Sequence, residues 1–510
     1  MDNSDSVKAC FQPSKLALGK AAAQVIDIDV DSLDWNKSFI LLGGDSILAI
    51  DFIAKCRDAG IHVDMTELLT AESLGAIAEE IDRKNAGTVN GVNGHANGAN
   101  GHGNGDNGSP LVNWQDPALD DLIADLKTHS IAISDIESIA PCSAVQESFF
   151  VSQAINPTSY ISHISIRLLS TSADGRRPAT KRVVDAWRDI VKRHAILRTT
   201  FIESNDRPGK FDQLVLKPNT MPPRVIICSS TRDVRAVPPF TTGKFETPLR
   251  LCAYEVSADE LRLDLEISHA LVDGHSGRIL LHDLRASYLR AAYFSENALS
   301  YTSFASHQQA ALNTGDASAG VEYWTSYLNN ASESHLPLIA SNPQLHHLKT
   351  ARCSMPLPDR KLRAVCSQMM ITPANMFQIA WALAVRRIIL SDTITFSYIV
   401  SGRNCDLEGA DGTVGPFLNT LPCCLTLTPE TSAADALSLA KRDWQDGLPF
   451  QNIPIADLTV AKTRSLKRLG NTLLSIEREI TNTHMFTEGT SMILDARTSA
   501  TDVRSSTFTE

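Results

Sequence analysis

The run from Ala86 to Gly108 is built almost wholly of Gly, Asn, Ala and His, with no apolar periodicity. Such a segment cannot bury enough surface to fold and reads as a flexible linker, so whatever this chain forms is divided there. At 510 residues the chain also exceeds one ordinary hydrophobic core. The pattern predicts a small unit over residues 1–85, a Gly/Asn-rich linker over 86–110 and a large unit over 111–510. Treated as a Gly-rich coil, the stretch from 86 to 108 has an r.m.s. span of roughly 25–30 Å. That tether keeps the front unit at high effective concentration beside the rear one. His95 and His102 within it read as solvated residues rather than metal ligands.

The front unit, from about Phe11 to Arg83, has a helical pattern. Ile47, Leu48, Ile50, Ile53, Ala54 and Cys56 mark one face of an amphipathic helix, which Gly60 can end as a C′ residue. Asp64 to Ile81 supply later helical segments. Gly43 and Gly44 permit a tight turn just before the first helix and leave Ser46 at its N-terminus. Free N–H groups and the helix dipole favour a phosphate there. Taken alone, Gly43-Gly44-Asp45-Ser46 reads equally well as a simple helix cap.

The rear unit mixes both periodicities. Leu261, Leu263, Leu265 and Ile267 alternate with Arg262, Asp264, Glu266 and Ser268, the period of a half-buried strand. After Gly274, Ile279, Leu280, Leu284 and Tyr288 recur at helical spacing. His269 and Asp273 therefore stand where a strand hands over to a helix. A His beside an apolar strand is more often a core residue than a catalyst, but this one can exchange a proton near neutral pH. Asp273 is badly placed for the same substrate and is expected to fix the turn by pairing with a cation, for which Arg403 is the candidate. The spacing of Trp187, Ile190 and Val191 makes His194 a cap or packing residue at a helix end. His275 and His282 fall on the helix after the motif, outside an active site, and Arg464 to Arg468 read as a solvated face.

Composition excludes several functions. The net charge of −11 and the lack of a basic stripe argue against nucleic acid. Met1 to Asp5 is acidic, unlike a signal peptide. The most apolar helix candidate, Met376 to Leu390, carries Arg386 and Arg387 and is too short to span a bilayer. Ten cysteines without a CxxC pair, with Cys423-Cys424 on an expected strand, suit reduced thiols in a cytoplasmic protein with no metal framework.

Ser268-His269-xxx-Asp273-Gly274 resembles the active-site motif of the condensation-domain superfamily of nonribosomal peptide synthetases, usually His-His-xxx-Asp-Gly. Pro141 to Gln146 resembles that family's opening motif, and Ala186-Trp187 through Arg193 to Phe201 its second. Tyr323-Trp324, Val400 to Arg403, Val414 to Pro422 and Phe450-Gln451-xx-Pro454 are similar to the later ones. The shared order and spacing make the likeness specific. In that context Gly43-Gly44-Asp45-Ser46 resembles the attachment site of peptidyl carrier domains.

The resemblance implies a small all-α four-helix carrier bundle joined to a two-lobed α/β domain like chloramphenicol acetyltransferase, with lobes at about 135–310 and 311–510. Ser46 would carry 4′-phosphopantetheine as a phosphodiester, installed by a phosphopantetheinyl transferase, and upstream synthetase modules would deliver a carrier-bound linear peptide. His269 takes the family's proton-handling role, with Gly274 in the same motif. Asn419 either orients substrate or satisfies loop backbone. Ser268 replaces the usual first His and cannot act as a base at neutral pH. The Ser-His variant resembles the terminal condensation-like domains that end many fungal synthetases, with a feel closest to fumiquinazoline or quinazolinone-type alkaloid synthetases. The implied reaction is macrocyclising release of the peptidyl thioester. Rivals are epimerisation, bimolecular condensation and a catalytically dead recruitment platform.

Overall fold

A computed structural model describes residues 13–26, 29–42, part of 52–87 and, with breaks, 119–501. Within 52–87 the described residues are 52–53, 55–56, 59, 61, 63, 67–68 and 71–87. The later breaks fall at 156, 171–178, 205–206, 208–209, 229–244, 259, 291–298, 313–314, 338–358, 406, 455–469 and 477–491. The expected linker from Thr88 onward, Gly43 to Ser46, Gly60 and Arg464 to Arg468 lie outside the described residues.

The front unit is helical. α1 (Pro13–Ile26) and α2 (Leu74–Gly87) enclose Leu18, Ala22, Leu74 and Ala78, packed with Phe39, Phe52, Cys56 and Leu68 in one buried cluster. Phe39 and Phe52 meet ring to ring at 5.0 Å. Ser73 caps α2 by accepting the Ala76 N–H at 3.1 Å. Gly75 is required here, since a Cβ would sit 2.8 Å from the Trp35 carbonyl that accepts its own N–H.

The rear unit opens with α3 (Asp120–Thr128), β1 (Ile136–Pro141) and α4 (Ala144–Ile155). Next come β2 (Ile161–Ser170), α5 (Thr180–Arg193), β3 (Thr199–Glu203), β4 (Phe211–Leu216), β5 (Val225–Cys228), β6 (Leu249–Ser257) and β7 (Glu260–Ser268). α6 (Gly274–Leu289) follows the His269 turn. A five-stranded sheet has the order β11-β2-β7-β6-β5, where β11 (Met492–Thr501) returns from late in the chain to pair antiparallel with the whole of β2. The alternation read from sequence is the burial pattern of β7: Leu261, Leu263, Leu265 and Ile267 are all buried. α5 and α6 cover that face with Trp187, Ile190, Leu280 and Leu284. β1, β4 and β3 form a separate small sheet.

α7 (Tyr301–Ala311) and α8 (Gly315–Tyr327) lead into the second half, which contains α9 (Asp359–Gln368), α10 (Pro373–Ile389), β8 (Thr393–Ser401), β9 (Leu418–Thr426), α11 (Ala433–Gly447) and the short β10 (Leu473–Leu474). Thr372 caps α10 and Pro373 occupies its first turn, so the helix begins ahead of the expected Met376. β8 lies between β9 and β10, with Ile394, Phe396 and Leu425 packed under α10 and α11. The helical unit rests on this half: Ser367 on α9 donates to the Ile40 carbonyl at 3.1 Å, and Trp444 on α11 packs against the carrier-side cluster. No helix among the described residues is long and apolar enough to cross a membrane.

Candidate active site

β7 ends at Ser268, and the chain turns through His269 to Val272 before α6 begins. His269 N–H donates to the Tyr160 carbonyl at 2.8 Å, which ties the turn to the start of β2. The ring is half-buried. Its Nδ1 lies 3.3 Å from the Val272 carbonyl and its Nε2 2.9 Å from Ser162 Oγ. Because a carbonyl only accepts, the first of these bonds places the proton on Nδ1 and the lone pair on Nε2. Tyr160 stands edge-on to the ring at 6.2 Å and Phe149 of α4 lies 5.9 Å away.

Asp273 serves the turn rather than the ring. Its Oδ1 accepts the Ser276 N–H at 2.7 Å, capping α6, and also the Ser276 hydroxyl at 2.7 Å. Arg403, at the end of β8, donates to both carboxylate oxygens at 3.0 Å, and the Phe417 N–H adds a third contact at 3.1 Å. Both side chains of the pair are buried. The guanidinium also holds the Ala410 and Thr413 carbonyls, at 2.6 and 2.8 Å, and stacks on Phe417 at 4.2 Å. Burial pushes the Asp273 carboxyl up, but Arg403, then His275 and Ser276, outweigh it and hold the group below its usual range. A strand of the second half thus braces a turn of the first.

The other residues singled out from sequence fall around this brace. Ser268 is buried; its hydroxyl accepts from Gln153 Nε2 at 3.2 Å and from the Ala270 N–H at 3.1 Å, which makes it a strut of the turn. Gly274 opens α6, and a Cβ there would meet nothing within 4 Å, so packing does not demand glycine. Asn419 bonds backbone: Nδ2 donates to the Gln451 and Ile453 carbonyls at 2.7 and 2.8 Å, and Oδ1 accepts the Thr420 N–H at 2.9 Å. Those bonds fasten the Phe450–Pro454 segment to β9.

His194 is buried and bonds Asp283 at 2.9 Å, joining the end of α5 to α6 together with Arg193 at 3.0 Å. His275 faces the Asp411 carbonyl at 3.1 Å and accepts from Arg278 at 2.6 Å. Burial first, then Arg403, pushes it down to about 3.

Sequence reading missed four residues that hold the site. Gln146, inside the opening motif, donates to the Ala270 carbonyl at 2.9 Å. Tyr301 bridges Ser143 at 2.8 Å and the Pro416 carbonyl at 3.0 Å, and a Cβ on Gly415 would strike its ring at 2.1 Å. Ser276 links Asp273 to Gly415, whose N–H it accepts at 3.0 Å. Ser162 reaches His269 from β2. The motif spacing carried a signal for Gln146, whereas Tyr301, Ser276 and Ser162 lie in none of the motifs above. A cleft of about 530 Å³ is lined by Leu312, at the end of α7, and by Val321, Glu322 and Thr325 of α8, and none of these belongs to the His269 turn. Among the described residues no cluster of His, Cys, Asp or Glu could hold a metal.

On either side of the undescribed stretch 43–51, turns run up to Leu42 and helix is present again at Phe52 and Ile53, with Phe39 and Phe52 both in the buried cluster. Residues 17–81 match the phosphopantetheine attachment site family, and residues 136–505 match the condensation domain family. Nonribosomal peptide synthetase 32 of Fusarium pseudograminearum is 69% identical over 395 residues, 77% of this chain and 4% of that protein. Nonribosomal peptide synthetase vlms of a Lecanicillium species is 62% identical over 397 residues, again 77% of this chain and 4% of that protein. The FR901469 synthetase of a Dothideomycetidae species is 31% identical over 487 residues, 94% of this chain and 3% of that protein. The chain thus spans only a few per cent of the length of these relatives. The fold is similar to the condensation domain of the polyketide synthase MokA, with a TM-score of 0.57 at 15% identity over 71% of this chain and 86% of that one. It is also similar to the X-domain from teicoplanin biosynthesis, with a TM-score of 0.53 at 19% identity over 70% and 81% of the two chains. The two family matches and the braced His269 turn together make this chain a member of the condensation-domain family of nonribosomal peptide synthetases, with a 4′-phosphopantetheine carrier domain ahead of it.

Proposed function

We propose that the chain releases a peptide from its own carrier by intramolecular aminolysis, forming a cyclic product. The observation that carries this reading is the state of His269: a half-buried imidazole whose Nδ1 faces a carbonyl and whose basic Nε2 is held at the end of a rigid sheet. The carrier precedes the domain in the same chain and touches its second half, which suits delivery in cis. Ser268, in place of the usual first His, is built into the turn and leaves a single imidazole for the proton transfer.

Bound to Ser46, the arm supplies the peptide as a thioester, an activated acyl donor. A nitrogen of the same peptide would attack the carbonyl carbon, the C–N bond forming as the C–S bond breaks, and the proton taken up by His269 would pass to the departing sulfur so that the thiol is released and the base restored. His269 Nε2 accepts the proton of the attacking nitrogen, and the Val272 carbonyl steadies the imidazolium through Nδ1–H. Asp273 and Arg403 keep the turn from shifting, so little reorganisation accompanies the proton transfer. Enforced near-attack geometry supplies much of the acceleration, and the base about 10²–10⁴-fold.

The kinship with quinazolinone-type synthetases rests on the motif resemblance. The relatives point to a longer substrate: an aligned stretch of 395 residues amounting to 4% of one relative makes that protein on the order of ten thousand residues long, room for many modules. We accordingly favour a long linear peptide and a large ring. The setting is a cytoplasmic synthetase assembly, with the arm installed by a phosphopantetheinyl transferase.

Mass spectrometry of the full chain, with Ser46 loaded with a linear peptidyl arm, tests the proposal. A product lighter than the free acid by one water, reduced at least 100-fold in His269→Ala, is the expected result. An arm that stays bound with inverted stereochemistry means epimerisation. Release only on adding a separate amine means bimolecular condensation, and no change with several peptides favours a recruitment platform.

A further inference from the structure

The inward-facing positions of β2 at its His269 end read Ser162, Ile164, Ile166 and Leu168. The last three are buried in the main core with Leu263, Leu265 and Ile267 of β7. Ser162 breaks an otherwise aliphatic series with a hydroxyl, at a position of the strand that reaches the imidazole. Its Oγ lies 2.9 Å from His269 Nε2, the nitrogen that must take the proton. Backbone pairing on both sides fixes its Cα: Ile267 of β7 is opposite on one edge and Ala500 of β11 on the other. Rotation about χ1 is the hydroxyl's main freedom.

We propose that Ser162 is the positioning residue for the proton-accepting nitrogen of His269. This deepens the reading of His269 as the base and rests on it. A hydroxyl can do what neither a carbonyl nor an amide N–H can, because it both donates and accepts. With the imidazole neutral, Ser162 O–H donates to the Nε2 lone pair and holds the ring in plane; as the incoming nitrogen approaches, rotation about χ1 swings the hydroxyl aside and frees that lone pair to take the proton. Once Nε2 has taken the proton, the same oxygen turns to accept from Nε2–H. The imidazolium is then held at both nitrogens, by Val272 behind and Ser162 in front. No bond to Ser162 is made or broken, and its proton stays on its oxygen.

Three full-length variants test this: Ser162→Ala, Ser162→Thr and Ser162→Cys. In the release assay Ser162→Ala is expected to lose about five- to tenfold in kcat with KM little changed, the worth of one hydrogen bond made to the protonated ring. Ser162→Thr, which keeps the hydroxyl and suits a strand, restores most of it. Ser162→Cys does not, because a thiol is a weak donor. A second readout needs no turnover. Diethyl pyrocarbonate acylates an unprotonated imidazole nitrogen, and mapping the modified peptide reports His269 alone. The Ala variant is expected to react several-fold faster there than wild type or Thr, since the lone pair is no longer covered. That measurement stands even if no thioester is ever cyclised, so failure of the proposed reaction and failure of this assignment are distinguishable. Equal labelling of His269 in wild type and Ser162→Ala overturns the proposal. So does a kcat loss that Thr fails to restore while thermal unfolding shows the fold intact. An acyl group found on Ser162 itself would also overturn it, making Ser162 a nucleophile.

Discussion

Removing the charge of Asp273 strands Arg403 in a site where both side chains are almost wholly buried. Asp273→Asn is therefore expected to lower stability by about 3–5 kcal/mol at neutral pH, read from urea unfolding midpoints. The native carboxyl lies below its ordinary range, so this contribution is complete above about pH 4 and fades as pH falls through the lower native value. The gap between variant and wild type should close in acid. His275 adds a slope of its own. Burial holds its native pKa down at about 3, against 6.5 for an ordinary imidazole. Between those values the unfolded chain binds a proton that the native one refuses, so stability falls as pH falls. His275→Gln should flatten the unfolding midpoint between neutral pH and about pH 4, because glutamine keeps a donor toward Asp411 and cannot titrate.

Among the elements, α11 contains a residue working against its own surroundings. Burial raises the carboxyl of Asp443 to about 6, with Arg442 opposing and Asp446 reinforcing the rise. A native pKa above the unfolded one favours the fold only at low pH, and that advantage is lost as pH rises through about 6. Asp443→Asn should raise stability above that pH by about 1 kcal/mol, allowing for its partial exposure, with no gain in acid; thermal melts on either side of the transition check this. The elements also show what a sequence can disclose. β7 and α6 were plain from period alone, because one face of each meets the core. α10 was read from its apolar run, Met376 to Leu390, while its true start at Thr372 and Pro373 was not. The Asp273–Arg403 pair was legible only as a chemical need, since a carboxylate with no role toward substrate must be balanced once buried. Ser162 was not legible at all. A serine near the end of a strand has no periodic signature, and its importance comes from a contact 107 positions away in the chain.

For the molecule as a whole, carrier and condensation domain meet through Ser367 and Trp444, on α9 and α11. Trp444→Ala is expected to loosen this seat, raising the radius of gyration in small-angle scattering while the unfolding of the condensation domain stays unchanged. The long pairing of β11 with β2 has a different consequence, which concerns the order in which the protein is made. β2 emerges from the ribosome early, yet the partner for one of its edges, Met492–Thr501, is among the last segments of the domain to be synthesised. Until then that edge, ten residues long and bearing Ser162, offers unpaired N–H and C=O groups to any passing strand. The positioning of His269 Nε2 is thus completed only once β11 has been made, and nascent chains stalled before β11 should be the ones that chaperones hold and that associate with each other.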